Sequence, residues 1–220
     1  KTVYVTPDYT IGTQMDHPAA VHSHLSLAGR WHGMTFAQDP RQRIVPVVIS
    51  EERDRKTKRN YRMEGMWQTA HHERSMVVQQ ARQWFALHPD WFPSSIRDDQ
   101  PAGVGVGDNW DRREEVDGWV FVQSGKAYAA VRPVLWDEAY ETEKRLQGVG
   151  NQINFNKSGQ NPTVKLRTDA YKWDETGQIL LLEDNHMPVV IEAGHADDYP
   201  NLDAFVADVL DNPLELYKTV

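Results

Sequence analysis

The chain is 220 residues long, with 24 Lys and Arg against 32 Asp and Glu, a net charge of −8 and no cysteine. That length buries a full core, the missing thiols exclude disulfides, cysteine nucleophiles and thiolate metal sites, and the negative balance excludes a chain built to neutralise nucleic-acid phosphates. No apolar stretch is long enough to span a bilayer as a helix. Hydrophobic residues make up 40% and charged residues 25%, ordinary globular usage, so the chain is expected to fold. Eight Trp and eight Tyr suit β-sheets and sugar-binding surfaces, and equally a plain core.

In chain order, residues 2–6 alternate around Val3 and Val5 and stop at a Pro7-Asp8 turn. Residues 25–36 read as a longer strand in which Gly29 and Gly33 mark bulges, and residues 43–49, rich in Val and Ile, as the next. Residues 51–60 are almost all charged with mixed signs, which predicts a solvated loop. Residues 61–69 alternate as a half-buried strand, His71-His72-Glu73 reads as a turn, and residues 75–80 as the returning partner. Residues 94–118 are polar and glycine-rich and read as a loop. A hairpin over residues 119–132 turns at Ser124-Gly125. Residues 146–162 read as irregular, and residues 178–183 and 187–192 as a third hairpin. Leu202, Phe205, Val206, Val209 and Leu210 form one helical stripe, capped by Asn201 and stopped at Asn212-Pro213. The expected fold is mainly β: an antiparallel β-sandwich with long loops and a C-terminal amphipathic helix, one domain over residues 1–220.

Few motifs point to chemistry. His22 and His24 would share a face of a strand and could both reach one metal ion, as in jelly-roll metal enzymes, but no carboxylate follows within five residues. No bound metal and no cofactor is therefore expected. Gly103-Val104-Gly105-Val106-Gly107 imitates a phosphate loop but lacks the following Lys and Ser or Thr. A Gly-x-Ser-x-Gly elbow is absent, which excludes an α/β-hydrolase nucleophile. Arg30-Trp31-His32 joins a stacking ring to cationic groups, as does the set Trp67, His71 and His72. These six are the expected substrate-binding residues, while no catalytic residue can be assigned. For each the competing reading is structural, with Trp31 in a core and the histidine pair a polar turn.

Thr6-Pro7-Asp8-Tyr9, Arg30-Trp31-His32-Gly33, Gly118-Trp119-Val120-Phe121-Val122 with Ala127-Tyr128-Ala129-Ala130-Val131-Arg132, and Pro188-Val189-Val190-Ile191-Glu192-Ala193-Gly194 occur in that order. The series resembles the C-terminal β-sandwich portion of heparinase II/III-like secreted proteins related to polysaccharide lyases. In that family a helical toroid precedes the sandwich and supplies most of the machinery. There a Tyr or His abstracts the proton next to a uronate carboxylate, and Arg or Asn neutralises that carboxylate. The resemblance implies a secreted domain, the C-terminal part of a larger protein, that completes or supports a cleft for an acidic polysaccharide or oligosaccharide. An upstream helical domain would be its partner, with neither nucleic acid nor membrane involved, and the domain alone would not turn over substrate. The alternatives are a metal-dependent jelly-roll enzyme and a non-catalytic structural or interaction module.

Overall fold

A computed structural model of the chain describes residues 2–15, 30–39, 41–49, 61–62, 67–80, 101–135, 166–185, 187–212 and 214. Fourteen strands and one helix are found among them: β1 (Thr2–Val5), β2 (Tyr9–Met15), β3 (Arg30–Phe36), β4 (Arg43–Ile49), β5 (Tyr61–Arg62), β6 (Trp67–His72), β7 (Ser75–Gln80), β8 (Ala102–Gly105), β9 (Arg112–Val116), β10 (Trp119–Ser124), β11 (Ala127–Pro133), β12 (Tyr171–Trp173), β13 (Ile179–Leu182), β14 (Val189–His195) and α1 (Leu202–Asp211). The strands form two antiparallel sheets, in the orders β1-β2-β3-β4-β8-β13-β12, with β5 also on β4, and β6-β7-β14-β11-β10-β9. The mainly β sandwich and its C-terminal helix are thus present.

Alternation builds the layers. Tyr9, Ile11, Met34, Val104, Val122, Ala129, Ile191 and Leu180 point between the sheets and fill the main core. Trp119, Phe121, Tyr128 and Val190 point out of the six-stranded sheet, where Leu202, Phe205 and Val209 of α1 cover them. β10 and β11 are therefore buried on both faces and read as nearly continuous apolar runs. β9, with the sequence RREEV, is an edge strand kept soluble by its charges. The Asn201 side chain accepts the Ala204 amide at 2.9 Å and caps α1.

Five expectations need correction. Residues 94–118 are not all loop, since β8 and β9 lie within them. β8 is a central strand whose glycines are steric, because a Cβ on Gly103 would meet Leu180 O and Ile179 Cγ2 at 2.8 Å. His71 and His72 are strand residues, and the turn falls at Glu73-Arg74, with Glu73 at φ 47°. Ser124 likewise belongs to β10, one residue before its turn. β13 and β14 are not a hairpin, because they pair into different sheets. At Gly33, φ is 124° and a Cβ would collide with the Ile44 carbonyl, so the glycine lets β4 approach β3. Gly29, residues 50–60 and residues 136–165 lie outside the described residues.

The short connections 6–8, 37–42, 73–74, 125–126 and 196–201 gather at one end of the sandwich. There Asp8 meets His195, Gln42 meets Ser124, and Ala196 donates to the Lys126 carbonyl. This turn end positions the site described next.

Candidate functional site

On β6, Trp67, Thr69 and His71 face inward, whereas Ala70 and His72 are exposed on the outer face. Across the sandwich, Thr13 Oγ1 of β2 lies 3.0 Å from Thr69 Oγ1 and 3.3 Å from Nδ1 of His32 on β3. One threonine pair thus stitches the two sheets and links His32 to the β6 row. His32 is 5% exposed and Trp67 7%, so neither offers an open ring face to solvent. The indole N–H of Trp67 and both ring nitrogens of His71 are buried without a hydrogen-bond partner among the described residues. The structure therefore brings His32, Trp67 and His71 together and turns His72 away. Arg30 and Trp31 are paired by their backbones with Met15 and Gln14, and their side chains lie outside the described part. His22 and His24 fall outside the described residues too. Among the described residues no three His, Asp or Glu side chains gather as a metal site.

At the turn end of this same flank a second group converges. Thr6 Oγ1 accepts the amides of Asp8 and Tyr9 at 3.2 and 3.0 Å, a local turn that fixes the Asp8 carboxylate. Asp8 Oδ2 receives Nε2 of His195, the last residue of β14, at 2.8 Å. The Asp197 amide donates to His195 Nδ1 at 3.2 Å, which leaves the ring proton on Nε2, facing Asp8. The Asp197 carboxylate also lies 3.2 Å from Nδ1. Arg74, in the β6–β7 turn, donates Nε to the Tyr4 hydroxyl at 3.4 Å and Nη1 to Asp198, and its guanidinium lies 5.8 Å from the Tyr4 ring centre. The bonds to Tyr4 and then Asp198 hold its proton more tightly than usual. Beneath it, the Tyr9 hydroxyl is buried without a hydrogen-bond partner, and burial pushes its pKa up to about 12, with Arg74 pulling the other way.

Chemically this end offers a half-exposed cation beside the Tyr4 hydroxyl, backed by the buried His195, paired with Asp8, and the buried Tyr9 phenol. Arg74 keeps 37% of its side chain exposed, so a ligand carboxylate can reach it. These five residues come from three stretches, 4–9, Arg74 and His195, with Asp8 and His195 187 positions apart. Spacing could not assemble them; the one local signal was the Thr6-Pro7-Asp8-Tyr9 turn.

The opposite flank is built differently. Arg113 and Glu115 of β9 face Tyr171 and Trp173 of β12, the last strand of the other sheet. The Trp173 indole donates to Glu115 Oε1 at 2.8 Å, and the Tyr171 hydroxyl donates to Oε2 at 3.0 Å. Arg113 lies 3.7 Å over the Trp173 ring and donates to the Gly177 carbonyl at 2.8 Å. Burial, then the Glu115 charge, raises the pKa of Tyr171. The side-chain heads of all four residues are engaged, and this is a latch between the sheets.

No protein-family model matches the sequence, and neither a curated protein nor a solved structure matches it. Function is therefore argued from the flank itself. Among the described residues no helix is long and apolar enough to cross a membrane.

Proposed function

We propose that this is a carbohydrate-active β-sandwich domain that holds an acidic polysaccharide or oligosaccharide at the β2/β6 flank. In this reading it is a secreted, heparinase II/III-like domain that completes a cleft begun by an upstream helical domain. Arg74 meets a uronate carboxylate, the Tyr4 ring flanks the sugar, and the His195–Asp8 pair takes up or returns a proton. The domain alone binds, and turnover needs the partner domain. The supporting observation is the convergence of the half-exposed Arg74 with Tyr4 and the His195–Asp8 pair at one end of the sandwich.

The test is calorimetric titration of the full chain with an oligogalacturonate and with a neutral oligosaccharide of equal length. We expect binding of the acidic ligand alone, weakened by added salt because exposed charges attract, and at least tenfold weaker in Arg74→Ala. No binding at all would favour a non-catalytic interaction module. Unchanged binding by a folded Arg74→Ala would remove the site assignment.

A further inference from the structure

The described arginines are mostly spoken for. Arg41 pairs with Asp39, Arg74 with Asp198, Arg112 with Glu114 and Asp203, Arg113 with Glu115, and Arg167 with Asp169 and Glu183. Arg132 on β11 is more enclosed than the exposed pairs and has no carboxylate partner among the described residues. It points out of the six-stranded sheet, on the face that carries α1, with buried Val190 as its cross-strand partner. Its guanidinium carbon lies 5.7 Å from the ring centre of Trp119, which is 2% exposed. Its Nε is buried and has no acceptor among the described residues. Burial makes its proton easier to lose than usual, while Asp117 and Tyr171 oppose this from beyond ion-pair contact.

An enclosed charge with no counter-charge in ion-pair contact among the described residues is costly. The Trp119 ring meets the guanidinium without accepting any of its N–H groups in a conventional bond, and Nη1 and Nη2, unlike the buried Nε, are the donors a ligand would use; neither has an acceptor among the described residues. A planar fork of N–H donors matches the two oxygens of a carboxylate. Because Trp119 is buried, the ring supplies no stacking surface, and recognition rests on the carboxylate alone.

We propose that Arg132 anchors a carboxylate-binding site on the outer face of the six-stranded sheet, away from the Arg74 flank, that takes a single uronic acid unit. The choice of a uronate rests on the acidic-saccharide reading above; the site itself rests on the unpaired guanidinium. The probe is free glucuronate titrated into the full chain by calorimetry, with glucose and sulfate in parallel. Glucuronate should bind, glucose should not, and sulfate should bind more weakly. Arg132→Met should weaken glucuronate at least tenfold, and Arg132→Lys, which keeps the charge but loses the fork, several-fold. All of these titrations are made in the Arg74→Ala background, which removes the flank cation, so that the glucuronate counted is the glucuronate held at Arg132. The proposal is overturned if glucuronate does not bind, if sulfate binds as tightly, or if either Arg132 variant binds glucuronate as the parent does. Should Arg132→Met fail to fold, Arg132→Lys decides.

Discussion

The two flanks of the sandwich solve the same problem in opposite ways. Where β9 meets β12, Glu115 takes both the Trp173 and Tyr171 donors, and Arg113 covers the indole. Where β2 meets β6, Trp67, His71 and Tyr9 carry buried polar atoms that no group among the described residues answers. Buried polar groups are nearly always paired, and an unpaired one costs the desolvation of that group. A flank that carries three such residues is not optimised for closure. It teaches where to look for function: the latched edge holds the fold, and the less fully latched edge, tied by Thr13 and Thr69, is the place to test for chemistry.

The largest effect expected at the less fully latched flank is volumetric. Trp67→Ala should destabilise by roughly 3–5 kcal/mol in chemical denaturation, as large core truncations do. Trp67→Phe should fall within about 1 kcal/mol of the parent, since it removes an unanswered donor while keeping most of the ring. A large loss in Trp67→Phe would mean that the indole N–H is answered after all.

Next comes an alkaline dependence set by Tyr9, whose folded pKa of about 12 lies above its ordinary 10.0. Between those values the folded state keeps a proton that the unfolded chain releases, so this contribution is full below pH 10 and is lost as pH rises toward 12. The loss amounts to about 2–3 kcal/mol across that window. Tyr9→Phe should flatten the decline and leave stability at pH 7 nearly unchanged. Parallel alkaline melts of the two proteins check it, and an undiminished slope in the variant would assign the effect elsewhere.

The smallest pair is the most direct comparison. Glu115→Gln should cost about 1 kcal/mol, limited by the 44% exposure of its side chain. His71→Leu should cost nothing or gain up to about 1 kcal/mol, because both imidazole nitrogens are unanswered. If the two substitutions move stability in the same direction, the distinction between the flanks fails.

The sandwich and its helix were legible because periodicity is local. The stripe from Leu202 to Leu210 and the Asn201 cap need only their own neighbours. β8 was hidden because its glycines, which signal a loop in isolation, are demanded by a neighbouring strand more than 70 residues later, at Ile179 and Leu180. β13 and β14 looked like a hairpin because a short connection says nothing about which sheet each strand joins. The six expected binding residues were chosen for ring and charge in sequence, which cannot tell the inward His32 from the outward His72 until register is known. Arg74 and His195 escaped because each stands alone in sequence and gains its partners only through the fold.

The place of β14 has a consequence for how the protein is made. This strand lies between β7 and β11 in the six-stranded sheet, yet it is the last of the described strands in sequence. Synthesis from the N-terminus releases β6-β7 and β9-β10-β11 as two fragments, each with an open edge, before the strand that joins them exists. The ribosome must therefore pass residue 195 before the sheet can close, and folding of this half waits for that strand. A stop codon anywhere upstream of residue 189 removes the strand to which both fragments bond, and leaves their edges available to other chains.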